Sequence, residues 1–249
     1  MNERDATVFP TSSPLPPSPD KASLLDDFMD IFYAPSKVFA RRINKGFVIP
    51  LLIMAVLTGL IFFANRDINE PVIEAEMARS MAQNPSGPQL TPEQRAASMK
   101  MVSTFGVVGA FVFTPVTLMI VGIVIWIVGK FFDSKQTLGA ACTVAVFAFV
   151  PRIVEGVGQR VQALFVDTST INSRYSLSLG PGRFLDADTV SPLLLAIVGR
   201  IDVFTIWVTI LIGIGLAVTG KLSRTKAAIA AIVVWIVGGL PTIASALRG

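Results

Sequence analysis

The sequence predicts an all-α membrane protein, a polytopic bundle of about five transmembrane helices with a short amphipathic helix before the first span. Of its 249 residues, 52% are hydrophobic and only 15% are charged, whereas soluble domains carry about 25% charged residues. The mean hydropathy is +0.65. The apolar residues are also gathered into long blocks, which is typical of membrane-spanning segments and not of a soluble core.

The charge pattern and the lack of reactive side chains exclude several classes of function. The formal net charge is +4, but the basic residues flank the apolar blocks, where they set topology and contact anionic lipid. No basic stripe or stacking motif favours nucleic acid. The chain has no histidine and a single cysteine, Cys142, which removes Ser-His and Cys-His nucleophile pairs and HExxH zinc sites. We therefore expect no enzyme activity, no cofactor and no catalytic or metal-binding residue.

The first 22 residues predict a disordered, proline-rich segment ahead of a membrane domain that covers residues 23–249. Five prolines fall between positions 10 and 20, and such a run favours extended, solvated chain. Pro14 and Pro17 form a PxxP pattern that suits an aromatic groove, although a plain linker explains the same residues. The acidic start lacks the basic and apolar regions of a signal peptide.

A short helix is predicted from Ser23 onward. Its apolar stripe and its acidic opposite face alternate at helical spacing, with Leu24, Phe28, Ile31 and Phe32 on the first and Asp26, Asp27 and Asp30 on the second. Pro35 ends this helix. Arg41, Arg42 and Lys45 follow at the approach to the membrane. We expect the segment to lie in the membrane interface or to pack under the bundle.

Five apolar blocks predict the spans, at residues 47–64, 105–128, 137–157, 203–220 and 227–247. The first is just long enough to cross about 30 Å of hydrocarbon at about 1.5 Å per residue. Pro115 suggests a kink in the second. The third is interrupted by Pro151 and Arg152, and a count of four spans results if this block is re-entrant.

Two long segments connect spans on the predicted external side. In residues 65–104, Thr91-Pro92-Glu93-Gln94 has the pattern of a helix start, and that helix is expected to run straight into the second span. In residues 158–202, Tyr175, Leu177 and Leu179 alternate before Gly-Pro-Gly. This pattern suits a small hairpin, but an irregular loop that caps the bundle explains it equally well.

The distribution of basic residues predicts the orientation. The two short loops hold Lys130 and Lys135, and Lys221, Arg224 and Lys226, whereas the long segments dilute a similar number of cations among Asp and Glu. Short loops near span ends carry the orientation signal. The N-terminus is therefore predicted to be cytoplasmic and the C-terminus external.

A few residues are candidates for function or interaction. Arg152 and Glu155, next to Pro151, are spaced to pair on one helical face; they are either an intramembrane site or the external end of the third span, with Arg152 snorkelling. Asp202 precedes the fourth span, where a helix cap competes with a cation site as its role. Trp207 fits an interfacial aromatic residue.

Several of these segments together resemble the Yip1 domain family in its bacterial branch. The similar stretches cover roughly residues 25–245 and include Asp30-Ile31-Phe32-Tyr33-Ala34-Pro35, Asp202-Val203-Phe204-Thr205-Ile206-Trp207 and Lys221-Leu222-Ser223-Arg224-Thr225-Lys226-Ala227. The resemblance implies a five-span bundle in the bacterial inner (plasma) membrane, a cytoplasmic N-terminus and no established enzymatic activity. Eukaryotic relatives are associated with vesicle trafficking and bind small prenylated GTPases. This chain lacks the glycine of their Asp-Leu-Tyr-Gly-Pro signature, and that partner role is not carried over.

Two functions follow from these expectations. The first is a non-enzymatic membrane protein that organises lipid or protein partners, whether a membrane-protein partner or a second copy of the chain. The second is a small permease or channel subunit, because broken helices often line substrate sites. An intramembrane enzyme is a third interpretation, which the absent chemistry disfavours.

Overall fold

The computed structural model describes residues 22–83, 91–167 and 170–247, without the side chains of Gln83 and Ser103. All regular structure in these ranges is helical, which confirms the predicted all-α fold. Apart from Ala22, the proline-rich segment predicted to be disordered lies outside the described residues. The helices are α1 (Leu24–Asp30), α2 (Pro35–Arg42), α3 (Val48–Ala64), α4 (Arg66–Gln83), α5 (Pro92–Phe131), α6 (Leu138–Ala148), α7 (Pro151–Ala163), α8 (Pro192–Val198), α9 (Val203–Gly220) and α10 (Arg224–Ala246).

Helix α6 is the centre of the bundle. Every residue from Ala140 to Ala148 is buried, and α5 and α9 pack against it. Small residues let the backbones approach: Gly122 of α5 faces Cys142, and Gly215 of α9 faces Val144. The core therefore depends on close helix contact, and α5 and α10 also carry many large apolar side chains that are exposed.

By length and composition, four helices can cross a membrane: α5, α6 with α7, α9 and α10. The count rises to five if α3 and α4, which meet at a bend of 78°, form one span. The doubtful span is therefore the first and not the third. Its helix α3 has 17 residues, or about 25 Å, and α4 carries too many charges to lie in lipid.

The helix bounds agree with the predicted block for the fourth span and differ from the predicted blocks elsewhere. Helix α9 matches residues 203–220, and α10 begins a few residues before the predicted 227. The second span is part of the 40-residue helix α5, which starts at Thr91 with the predicted capping box: Thr91 Oγ1 accepts from the Gln94 N–H, and the Gln94 side chain accepts from the Thr91 N–H. The third span continues past 157 to Ala163.

The two segments that were predicted to be external differ from expectation in two places. Helix α4 was not predicted, because six charges and Pro71 hide its helical pattern. The hairpin alternative for residues 158–202 was wrong: the part of this segment that the structure describes has turns, a 3-10 helix over Pro181–Phe184 and the short helix α8, and no strand. Pro181 and Pro192 start those two helical pieces.

Helices α1 and α2 pack against the bundle through the predicted apolar stripe. Ile31, Val38 and Phe39 are fully buried, and the rings of Phe28 and Phe147 lie 5.4 Å apart. Helix α1 ends at Asp30, five residues before the predicted break at Pro35, and Pro35 is instead the first residue of α2. Of the two alternatives, packing against the bundle is the one observed.

One residue of the predicted acidic face was misplaced. Asp27 is fully buried, because α2 folds back over that side of α1. Arg41 Nη2 lies 2.6 Å from Asp27 Oδ1 and 2.6 Å from Asp30 Oδ2, and Arg42 also pairs with Asp27. We call these four side chains the α1–α2 clasp. Two of the basic residues expected at the membrane surface are thus held by carboxylates.

Candidate functional site

The third span breaks inside its length, immediately before Pro151. Helix α6 ends at Ala148, the chain turns through Phe149 and Val150, and Pro151 is the first residue of α7. Proline lacks the N–H that would continue the α6 ladder, and its fixed φ suits a helix start. Arg152 lies about 20 Å along the helix from Leu138, short of the about 30 Å that hydrocarbon requires. The helix continues beyond Arg152 for another two to three turns.

The break brings three of the predicted residues together. Arg152 donates from Nη1 to Glu155 Oε2 at 2.6 Å, and the same nitrogen lies 4.0 Å from Asp202 Oδ1. From Nη2 it donates to Thr205 Oγ1 at 2.7 Å. Thr205 was missed by the sequence analysis, although its place three residues after a capping aspartate marked it as a neighbour. We call these four side chains the Arg152 cluster.

Asp202 performs the capping role that the sequence predicted. Its Oδ1 accepts from the backbone N–H groups of Phe204 at 2.8 Å and Thr205 at 3.0 Å, and its Oδ2 accepts from the Thr205 hydroxyl. With Glu155 turned toward Arg152, both carboxylates already have donors. Among the residues that the structure describes, no group of three or more Cys, Asp or Glu side chains could hold a metal ion.

Trp207 lies two residues after Thr205 on α9 and contacts the N-terminal part of the chain through Phe32. Its ring packs edge-on against Phe32 with centroids 5.4 Å apart and lies parallel to Phe204 at 6.4 Å. Pro35 shapes the turn after Phe32 but does not reach the cluster. The interfacial role predicted for Trp207 stays a prediction, since its ring is half-buried against the core.

Arg200 is a second arginine beside the cluster, and sequence analysis missed it. Its Nη2 donates to the Trp235 carbonyl at 2.5 Å and its Nη1 to the Gly238 carbonyl at 3.3 Å. The guanidinium carbon lies 5.2 Å from the Trp235 ring centre. Gly239 leaves it room, since a Cβ there would lie 2.6 Å from Arg200 Nε. The only signal in the sequence was a cation standing two residues before a capping aspartate.

Three cavities surround this region. The polar cavity, of about 240 Å³, is lined by Arg152, Glu155, Ser178, Arg200, Asp202 and Thr205, among others. The apolar groove, of about 460 Å³, runs between α3 and α5 along Met54, Phe62, Phe105, Gly109, Phe113 and neighbouring residues, and it ends on Phe149 and Arg152. The vestibule, of about 580 Å³, shares Arg174, Tyr175 and Thr242 with the polar cavity.

Two residues that line the polar cavity, Tyr175 and Arg174, have raised pKa values. Burial raises the pKa of the Tyr175 phenol, against the opposing effect of Arg174, so that Tyr175 stays neutral at neutral pH. Arg174 itself is held by a bidentate pair with Glu76, both bonds at 2.7 Å. The lining offers hydrogen-bond donors and fixed charges, and no activated nucleophile.

Comparison with known proteins identifies one family. The sequence model of the Yip1 domain matches residues 29–245. No curated protein matches the chain, and no solved structure does.

Proposed function

Because this chain belongs to the Yip1 domain family, we propose that it is a non-enzymatic membrane protein that organises lipid in the bilayer around the apolar groove. Family membership and the apolar helices already identify a multi-pass membrane protein, and membership points away from catalysis. The finer role, organisation of a partner, is argued from the groove itself.

The apolar groove is the observation that carries this proposal. Gly106, Gly109 and Ala110 form a shallow floor on α5, and the rings of Phe105 and Phe113, about two-thirds exposed, stand beside it. Small residues of this kind let an apolar chain approach the helix backbone closely. The volume of about 460 Å³ falls in the range of small-ligand sites, about 300–1,000 Å³.

The chemistry of the groove suits an acyl chain better than a polar solute. Apart from three threonines, its lining is apolar until it reaches Arg152. Thr114 donates its hydroxyl to the Ala110 carbonyl at 2.6 Å and so offers no free donor. A lipid tail suits such a surface, because most of the lining is apolar.

Photo-crosslinking tests the proposal. The full chain, in vesicles that contain a phospholipid with a diazirine in its acyl chain, should give crosslinks concentrated on the groove. Ala110→Phe fills the groove and should remove most of them. Val112→Phe adds the same ring on the same helix at an exposed position outside the groove and should leave them unchanged.

The proposal fails if Ala110→Phe and Val112→Phe give the same crosslinks as the unmodified chain. A crosslinked species with the mass of two chains, or of the chain with another protein, would instead identify a protein partner in the groove.

A second candidate function is a small permease or channel subunit. The observation that favours it is the break in the third span beside a polar cavity, since interrupted helices line the binding sites of many transporters. Buried apolar residues, including Phe147, Val208 and Leu211, fill the bundle on the inner side of the cavity, and this packing favours the organiser. The test is the flux of a broad panel of ions and solutes into liposomes that contain the purified chain. If any of them enters, the permease function would replace the organiser function as the proposal.

We further propose a location in the bacterial inner membrane with the N-terminus in the cytoplasm. The support is the density of cations in the short loops after α5 and α9, where Lys130 and Lys226 stand close to helix ends. Short basic loops stay on the cytoplasmic side.

A further inference from the structure

The polar cavity contains donors that lack an acceptor. Arg200 reaches two backbone carbonyls and a ring, but it forms no ion pair with any carboxylate in the described ranges. A guanidinium has five N–H donors, so these contacts leave several unused. Burial and the nearby charge of Arg152 lower the pKa of Arg200, as expected for a cation whose charge is not balanced locally.

Ser178 is an independent sign of a missing partner. It lines the same cavity, is only 8% exposed, and its Oγ has no hydrogen-bond partner. A buried hydroxyl without a partner is destabilising, so such groups usually face a ligand or an ordered water.

The guanidinium of Arg200 favours an anion as that ligand. Arg152 lies against Glu155 and Asp202, and Arg174 pairs with Glu76, so Arg200 is the one arginine of the lining that pairs with no carboxylate of the described ranges. The N-terminus of α9 is adjacent and adds a positive partial charge. Asp202 accepts from two backbone N–H groups and the Thr205 hydroxyl, and Glu155 accepts from Arg152, so both carboxylates already have donors.

From these observations we propose that the polar cavity binds a phosphate group, held by the guanidinium of Arg200 and the hydroxyl of Ser178. Arginine donates bidentate, charge-assisted hydrogen bonds to phosphate oxygens. The proposal goes beyond the organiser function, because the apolar groove can fail its own test while the polar cavity still binds phosphate.

The cavity is accessible from two directions, and each implies a different source of phosphate. It shares Arg152 with the apolar groove, which is the route for a lipid headgroup. It shares Tyr175 and Thr242 with the vestibule, which is the route for free phosphate.

A binding experiment with the full chain in detergent separates these sources. The probes are phosphatidic acid, diacylglycerol with the same acyl chains, and inorganic phosphate. We expect retention of phosphatidic acid and not of diacylglycerol. Displacement of the lipid by inorganic phosphate assigns the site to free phosphate, and retention despite excess phosphate assigns it to the headgroup.

Four variants locate the site. Arg200→Gln should weaken phosphate binding about tenfold or more, since charged hydrogen bonds contribute about 1.5–3 kcal/mol. Arg200→Lys keeps the charge and should lose less. Ser178→Ala removes one donor and should lose about two- to tenfold. Arg183→Gln removes an exposed charge outside the cavity and is the matched control.

Equal retention of phosphatidic acid and diacylglycerol, with no binding of inorganic phosphate, overturns the proposal. So does equal binding by Arg200→Gln and Arg183→Gln. If Arg200→Gln does not yield a monodisperse protein, Ser178→Ala decides, because loss of a hydroxyl that has no partner removes nothing from the fold; unchanged binding in that variant overturns the assignment.

Discussion

Single side chains around Arg152 join α7 to the start of α9. Asp202 caps α9 and faces Arg152, and Thr205 joins the two by accepting from one and donating to the other. Each group therefore depends on its neighbours for orientation. Removal of one leaves the others buried without partners, which is costly in a low-dielectric interior.

Asp202→Ala should lower the free energy of unfolding by about 1–2 kcal/mol through loss of the cap alone. Asp202→Asn keeps an acceptor for the N–H groups of Phe204 and Thr205 and should recover much of that loss. Thermal unfolding in detergent measures both. Equal midpoints for the two variants would show that charge, and not capping, is what Asp202 supplies.

Residues whose partners lie close by in the sequence could be predicted, and residues whose partners lie far away could not. Asp202 and the Arg152–Glu155 pair were predicted because a cap and an i, i+3 pair are local patterns. Arg200 was missed because its acceptors, the carbonyls of Trp235 and Gly238, belong to α10. Ser178 could not be identified at all, since an unpartnered hydroxyl has no signature in sequence.

At the scale of elements, the α1–α2 clasp converts two short helices into one packed unit. Neither helix is long enough to be stable alone, and the ion pairs of the clasp contribute the stability that the short helices lack. Asp27 is the member that both arginines contact. The sequence analysis placed Asp27 on an acidic face opposite the apolar stripe, because a projection of one helix does not show that a second helix covers that side.

Asp27→Asn should destabilise the protein by about 3–5 kcal/mol, because it leaves the paired arginines without their buried counter-charge. Asp30→Asn removes a carboxylate that is more than one-third exposed and should cost at most about 1 kcal/mol. Guanidinium or thermal unfolding of the two variants checks the difference. Similar losses at both positions would contradict the special role of Asp27.

Two glycines of α7 predict opposite effects of the same substitution. Gly156 packs on Ile61 of α3, where a Cβ would overlap the Ile61 methyl group, and Asn65 Nδ2 donates to its carbonyl at 2.9 Å. Gly158 has nothing within 4 Å of a built Cβ. Gly158→Ala should stabilise the helix by about 0.5–1 kcal/mol, whereas Gly156→Ala should destabilise the protein by about 1–3 kcal/mol.

The midpoint of thermal unfolding should therefore rise for Gly158→Ala and fall for Gly156→Ala. A rise in both would mean that α7 does not rest on α3 in the membrane.

For the whole molecule, the charge of the loops and the length of the apolar blocks decide the topology. Sequence analysis located the blocks well because uninterrupted apolar length is a property of the chain alone, as the agreement over Val203–Gly220 illustrates. It could not see that α3 turns by 78° into a charged helix, since that bend arises where Asn65 is buried against α7.

Reporter fusions test the orientation. An enzyme that is active only outside the cytoplasm, fused after Gly249, should be active, and the same enzyme fused after Lys135 should be inactive. The opposite pattern would invert the topology. If neither fusion is active, the C-terminus is cytoplasmic and an even number of spans lies between Lys135 and Gly249.

Helix α5 has a mechanical consequence that its packing alone does not suggest. Its 40 residues extend about 60 Å, about twice the thickness of the hydrocarbon core, so part of the helix, which we call its outer arm, lies beyond the hydrocarbon. Pro115 removes one backbone hydrogen bond of the helix and is the point where α5 bends most easily. Spin labels at Glu93 and Ile120 would reveal such bending as a spread of distances. Since Pro115 lies beside the apolar groove, a pull on the outer arm would open or close the groove from outside the membrane.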